Sequence, residues 1–597
     1  MVLLGVEGIV DPDGPRGSSL ASWTPLWLFL GVLAVLLVVL FIRGRAPDRR
    51  GLDAALLRVP RALERRTGLP GWAAISVLFA VYGLAVAGYG FYTDVAWHVA
   101  LGRDDDLFTA PHTAIFIGLV LISIAPMLGV LIASIERVET DLRFGGLRVP
   151  WSMLPLGALG AAALIGFPVD ELWHRAYGID VTMWSPPHLI MILAASFTGL
   201  ASWLVLAETG VGPGDGSTAS HRRWSRGLHV VAGALTLQGL SSVQGEFSYG
   251  VPQWQQLFHP VLICIAAGLA LTLIRIVHGP GWSLGIAVAL FAFGATGTDG
   301  PIETRAGAIY LGSAALVEIA ALVAGTRDRL RFALVSGVLV ATGGLAVEWW
   351  WNQGAHQPWT SALFPDALLV GLLAAVAAAV VGAAVAGVVS AESPVRRVPA
   401  GAVAVALVAL FLALAIPSPR RTGEVTADVR FAWVDEQHAH VTVALDPPDA
   451  AEGARWFTAG SWQWGGRQIV HLQPVDGVAG EYTTDEPLLL AGRAKSLVRL
   501  HRGAEMMAVA VRLPADEEYG LPAVPAQDRR ARFVSEQRYL QREASPEMGW
   551  LAMVVLGLIV VLSSAWIGSV ALAGAKISGR RRSVVESADE LEDAQRR

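Results

Sequence analysis

Apolar runs alternate along the chain with short polar connections, and the connections fall into two kinds. One kind carries arginines; the other carries Asp, Glu, His and Trp. A bilayer core of about 30 Å needs about 20 apolar residues per helix. On that ruler about 13 spans are expected, beginning near residues 25, 72, 112, 152, 187, 227, 258, 281, 306, 331, 366, 399 and 549. The first run, Leu26 to Ile42, has no basic cluster ahead of it and is followed by Arg43, Arg45, Arg49 and Arg50, which predicts an uncleaved anchor. The arginine-bearing connections fall at 43–66, 136–148, 221–226, 275–278, 327–331, 396–397 and 580–582. All lie on one side if the N-terminus is outside, so the positive-inside rule predicts an N-out, C-in multi-pass protein.

Between the last two spans the period changes. Val429-Arg-Phe-Ala-Trp-Val, His440-Val-Thr-Val-Ala-Leu and Met507-Ala-Val-Ala-Val-Arg-Leu alternate apolar and polar positions, separated by turn formers such as Asp446-Pro-Pro-Asp and Gly465-Gly. The expected architecture is an all-α polytopic membrane protein built from helical-hairpin repeats, with a β-sandwich before the last helix. Its expected parts are an outer segment 1–24, a helical domain 25–419, an outer β-sandwich 420–545, a final span 546–575 and a cytoplasmic tail 576–597.

Composition agrees with a membrane protein: of 597 residues 54% are hydrophobic and 16% charged, and mean hydropathy is +0.51. Arginine is abundant while lysine occurs only at Lys495 and Lys576, which reads as the codon usage of a GC-rich bacterium and places the chain in its cytoplasmic membrane. The net charge of -5, without a dense basic block, gives no reason to expect nucleic acid. The single cysteine, Cys264, excludes intramolecular disulfides and a two-cysteine copper centre. No Walker loop, His-Glu-x2-His or Gly-x-Ser-x-Gly motif is present.

The polar connections opposite the arginines hold the chemistry. Asp94-Val-Ala-Trp97-His98, continuing to Gly102, Asp104, Pro111 and His112, recurs without a gap as Asp170-Glu-Leu-Trp173-His174, continuing to Gly178, Asp180, Pro187 and His188. Later connections carry weaker echoes: Glu246 with His259, Asp299 with Glu303, and Glu348, Trp351, Asn352, Pro365 and Asp366 at the offsets of the first copy. On a helix i and i+4 share a face, so Asp94 and His98 can address one atom. Pro111 suits a first helical turn and sets His112 beside them. Two His and one carboxylate leave a coordination shell open and suit Cu(II), Zn(II) or non-haem Fe(II). Asp104 and Asp180 are candidate acceptors for an imidazole N–H. Glu246, His259, Asp299, Glu303, Glu348 and Asp366 are candidates for further ligands or for the polar lining of a vestibule. The competing reading makes the tryptophans an interfacial belt and the Asp and His helix caps.

Asp94-Val-Ala-Trp97-His98, Arg103-Asp104 and Phe108-Thr109-Ala-Pro111-His112 resemble the signature of the C subunit of copper membrane monooxygenases, which include the particulate methane and ammonia enzymes. The resemblance implies copper held by Asp94, His98 and His112, with Asp170, His174 and His188 as a second site, and oxygen-dependent hydroxylation of a small apolar substrate. It covers about 20 residues. The second His stands one residue further on than in the family pattern, and the family uses three chains where this one carries its own β-domain. In that domain His438-Ala-His440 leads into a strand, where alternate residues share a face and can chelate a metal, with His471, His501, Met506 and Met507 as further candidates. Alternatives from other classes stay open: copper transport, delivery or oxidase assembly, or a metal-free scaffold. Expected partners are the bilayer, an electron or copper donor, and further copies or subunits.

Overall fold

The computed structural model describes residues 24–45, 50–102, 108–177, 182–248, 250–295, 309–355, 357–390, 397–417, 423–517, 520–540, 542 and 549–596. Among these, eight helical stretches are long and apolar enough to cross a membrane: Gly71–Leu101, Ala110–Ile135, Met153–His174, Pro186–Glu208, Phe258–His278, Arg329–Asn352, Ser361–Val389 and Gly549–Arg580. Every expected start lies at or near a helix, and eight of the 13 expected spans are met by helices of spanning length among the described residues. The first helix, Thr24–Arg45, runs for 22 residues, whereas Trp282–Gly294, Leu311–Ala324 and Ala400–Ala415 are apolar helices of only 10–17 residues as described. At 1.5 Å rise per residue such helices fall short of a bilayer core of about 30 Å. Ala219–Ser242 is long enough, but His221, Arg222, Arg223 and Arg226 load its first turns with polar groups.

Four helices position the site. We label them α1 (Gly71–Leu101), α2 (Ala110–Ile135), α3 (Met153–Tyr177) and α4 (Pro186–Ser196). Helices α1 and α2 form a hairpin pressed together by small residues, as membrane helices commonly are. A Cβ added to Gly118 of α2 would lie 2.4 Å from the backbone nitrogen of Ala87 in α1, so only glycine permits this approach. The second hairpin, α3 and α4, lies against the first through a cluster containing Phe108, Phe116, Phe167, Ile190 and Met191. The last helix, Gly549–Arg596, closes that cluster with Leu551 and Val555.

The β-domain is a near-closed antiparallel barrel and not the expected sandwich. Its strands are β1 (Thr426–Trp433), β2 (His438–Asp446), β3 (Ala454–Trp462), β4 (Arg467–Pro474), β5 (Glu481–Thr484), β6 (Leu488–Leu489), β7 (Lys495–Arg502), β8 (Glu505–Arg512), β9 (Arg529–Arg532) and β10 (Val534–Ser535). They run in the continuous order β9-β1-β2-β5-β4-β3-β7-β8-β10, with β6 paired to β2. Alternation distinguishes inside from outside but is the same for a sandwich and a barrel, so it could not choose between them. Val429, Val441, Val443, Leu472, Leu500, Met507 and Phe533 share the barrel's apolar core. Strand β2 keeps the alternating pattern, whereas β3, β7 and β8 are buried along nearly their whole length. Their second faces are covered because this wall of the barrel sits on the helices.

A buried ion pair marks that junction. Arg499 Nε and Nη2 donate to Glu536 Oε1 and Oε2 at 2.7 Å each, and Arg499 also donates to the carbonyls of Gly250 (2.8 Å) and Val251 (3.1 Å) in the helical domain. The Gln253 amide donates to Glu536 Oε2 at 3.1 Å. Trp456 Nε1 donates to the Pro358 carbonyl at 3.1 Å, with the Arg499 guanidinium over its ring. Removing one member of a fully buried pair strands the other charge, at a cost of about 3–5 kcal/mol. Arg499→Ala should therefore lower the thermal unfolding midpoint of the purified full-length protein clearly, and adding Glu536→Gln should recover part of the loss. An unchanged midpoint for Arg499→Ala would remove the pair from the account of the junction.

Candidate metal centre

Each hairpin places one triad where its two helices meet. In the first, Asp94 and His98 lie one turn apart near the end of α1, and His112 stands in the first turn of α2. The N-cap Thr109 accepts from the His112 amide through Oγ1, and Pro111 occupies the first turn as expected. His112 Nε2 lies 3.1 Å and His98 Nε2 3.5 Å from Asp94 Oδ1. The second triad repeats this plan on α3 and α4. His174 Nε2 lies 3.7 Å from Asp170 Oδ1 and His188 Nε2 3.4 Å from Asp170 Oδ2, with Ser185 capping α4 through the His188 amide. In both triads the ligand atoms lie within 4.8 Å of one another. No other group of three or more His, Cys, Asp and Glu side chains close enough to hold a metal occurs among the described residues.

Hydrogen bonding fixes what the imidazoles offer. His98 Nδ1 is 2.8 Å from the Gly102 carbonyl, and His188 Nδ1 is 3.3 Å from that of Thr182. A carbonyl only accepts, so Nδ1 carries the proton in each ring. In the neutral rings Nε2 then presents a lone pair towards a carboxylate that also presents lone pairs. Oδ1 of both Asp94 and Asp170 is buried without a hydrogen bond of acceptable geometry. Such an arrangement is completed by a proton on an imidazole Nε2 or by a metal ion. Tetrahedral ligands bonded at about 2.0–2.1 Å stand about 3.3 Å apart, which the 3.1–3.7 Å separations match. The residues present fit a metal ion.

The triads are neighbours. His188 is within electrostatic range of Asp94, and His112 within range of Asp170. One helical turn further in, Phe116 follows His112 and Phe167 precedes Asp170. Their rings meet at 5.0 Å, with Phe108 at 5.5 and 5.7 Å, so an aromatic wall lies beside both triads.

Compared with protein-family models, curated proteins and solved structures, the chain matches none.

The remaining candidates fall in several places. Glu246 is buried and accepts from Thr182 Oγ1 and the Met183 amide, both at 3.0 Å. It thus holds the loop whose carbonyl orients His188, and Trp254 Nε1 braces the same Thr182 hydroxyl at 2.8 Å. His259 and Glu348 meet at 3.2 Å in the interior of the helical domain. The expected frame pairing Glu348 and Asn352 with Asp366 is replaced there: the side chain reaching Glu348 from another helix is His259, and Asp366 is half-buried in the first turn of Phe364–Val389. Glu348 also receives Asn352 Nδ2 at 3.0 Å and Trp359 Nε1 at 3.1 Å, so both its oxygens are served by donors. Its needs are met without a metal. Asp104, Asp180, Asp299 and Glu303 lie outside the described residues.

In the barrel, His438 and His440 are both partly buried at alternate positions of β2. His438 Nδ1 turns to Asp435 at 3.0 Å, and His440 Nδ1 to the Thr484 carbonyl at 2.9 Å. The Asp435 carboxyl is held below the usual carboxylate range by the Gln437 amide and by His438. His501 is committed to the Glu505 carbonyl at 3.0 Å and packs on Trp456. Met507 belongs to the apolar core.

The sequence signalled the six triad residues but not their supports, Gly102, Thr182 and Glu246 as a loop anchor, because those contacts run through backbone atoms or between distant segments. Removing a group that orients a ligating His typically costs about 10–100-fold in metal affinity. Glu246→Ala should weaken Zn(II) binding at the second triad by that factor in calorimetric titrations of a His98→Ala/His112→Ala background. Glu246→Gln, which keeps an acceptor for Thr182, should lose less. Equal affinity in both variants and the parent would show that Glu246 does not position the site.

Proposed function

We propose that this chain is a multi-pass bacterial membrane protein whose two triads bind copper, and that it works as a copper-dependent monooxygenase on a small apolar substrate. The carrying observation is the convergence in each triad of two imidazole Nε2 atoms on one buried carboxylate, whose Oδ1 lacks a hydrogen bond of acceptable geometry. Asp94, His98 and His112 would hold one ion, and Asp170, His174 and His188 a second. Two neutral imidazoles and one carboxylate suit Cu(II), and copper supplies one-electron redox chemistry with dioxygen. The choice of copper over zinc or iron, and of hydroxylation as the reaction, rests on the sequence resemblance around residues 94–112.

The chain's own residues contribute charge, orientation and exclusion of water. Asp94 and Asp170 offset the charge of the ions. The Gly102 and Thr182 carbonyls hold His98 and His188 in the tautomer that leaves Nε2 free to ligate. Phe108, Phe116 and Phe167 make the packed surroundings of the triads apolar, which suits a hydrocarbon-like substrate better than a polar one. Insertion of one oxygen atom into a C–H bond sends the other to water and consumes two electrons and two protons, so a separate electron donor is required. Placing the triads and the barrel on the outer face follows from the arginine distribution.

A copper relay would need ligands at successive depths, with sulfur donors for Cu(I). Both triads instead stand at corresponding ends of adjoining hairpins, which favours the enzyme reading over transport. In a metal-free scaffold only an imidazole proton would balance each buried carboxylate.

Mass spectrometry of purified, copper-loaded full-length protein should find about one copper ion per triad. Asp94→Ala, His98→Ala and His112→Ala should each lose one ion, His174→Ala/His188→Ala the other, and the combination both. Oxygen uptake with a reductant and a short alkane should vanish with Asp94→Ala. A folded, loaded wild type without metal would overturn the copper reading, and metal without oxygen uptake would overturn the monooxygenase reading alone.

A further inference from the structure

The end of α1 is closed by the barrel. An α-helix leaves its last carbonyls without intrahelical partners. Here the Gly102 amide turns back to the His98 carbonyl at 3.0 Å. The next two carbonyls, of Val99 and Ala100, accept from the amides of Gln463 (2.9 Å) and Gly465 (2.8 Å). Those amides belong to the turn of residues 463–466 between β3 and β4, hundreds of residues away in the chain. We infer that this turn is a positioning element of the first metal centre, built into the barrel and acting on His98 through the end of α1.

The geometry makes the link short. Gly102 adopts φ 78° and ψ -133°, which aims its carbonyl back at His98 Nδ1, 2.8 Å away. The Gln463 side chain stands on Gly102: a Cβ built there would lie 3.2 Å from Gln463 Cδ and Oε1. Gln463 itself has φ 72°, a left-handed conformation that side-chain-bearing residues seldom keep unless their surroundings enforce it. The enforcement is visible on both sides of it. Trp462 is buried with Val99, Met183, Leu497 and Ala508 in the cluster between barrel and helices. Trp464 lies against Gly492, where an added Cβ would come within 2.3 Å of its ring. The turn is therefore clamped by the barrel, and it clamps the carbonyl that fixes the His98 tautomer.

This inference rests on the first triad binding metal, and the test separates the two. Cu(II) affinity of the full-length protein is measured in a His174→Ala/His188→Ala background, which reports the first triad, and in a His98→Ala/His112→Ala background, which reports the second. Gln463→Pro removes the amide that Val99 needs, and Gly102→Ala crowds Gln463 from the helix side. Both should weaken the first triad by about 10–100-fold and leave the second unchanged. Gln463→Asn, which tolerates the left-handed conformation, should restore affinity. Loading the first triad should also slow amide exchange in a peptide spanning 462–466, and loading the second should not. Equal affinity at the first triad in Gly102→Ala and its parent, parallel losses at both triads, or exchange in that peptide indifferent to metal would each overturn the positioning role. Absence of Cu(II) binding in the unmodified first triad would instead sink the metal assignment itself, and this inference with it.

Discussion

Everything in the structure turns on a carboxylate that is buried and left short of donors. Burying a carboxylate is costly unless hydrogen bonds or opposite charge compensate it. Asp94 and Asp170 lie in helices long and apolar enough to span a membrane, yet an oxygen of each lacks a hydrogen bond of acceptable geometry and faces imidazole nitrogens. Fixing Nδ1–H of His98 and His188 on carbonyls turns the Nε2 lone pair of each neutral ring towards the carboxylate. Each triad could hold a metal ion at its centre.

The interior supplies its own comparison. Glu348 is also buried, has a carboxamide four residues on at Asn352 and meets a histidine from another helix. It differs in receiving donors on both oxygens, from His259, Asn352 and Trp359. Replacing the i+4 histidine by asparagine exchanges a lone pair for an N–H, and the carboxylate becomes a satisfied acceptor. Similar spacing thus gives a coordination shell in one place and a hydrogen-bond hub in another. The difference lies in whether the neighbours donate or accept.

That distinction also explains what could be seen in the chain. The two triads were legible because their geometry is local: an i, i+4 pair, then a proline-led first turn a short connection later. Gly102, Thr182 and Gln463 carried no signal, since they act through backbone carbonyls and amides that any residue possesses. Pairing His259 with Glu348 was missed because the repeat logic looks within a hairpin, whereas packing joined two different hairpins. Apolar composition outran helix length among the described residues in places such as Leu311–Ala324. The barrel was read as a sandwich because alternation along a strand records one face against the other and nothing of how the sheet closes.

The two hairpins carry the same triad residues on different supports. His188 is oriented by a loop tied to Glu246 in the helical domain, through side-chain and amide hydrogen bonds. His98 is oriented by a helix end tied to the barrel, through backbone amides of a strained turn. The barrel meets the helical domain at the Arg499–Glu536 pair as well, a contact that excludes water and holds the turn in register. A loose roof would therefore disturb the first triad before the second. Two triads of like residues on unequal supports will differ in rigidity, which gives neighbouring triads of one protein a physical basis for separate tasks.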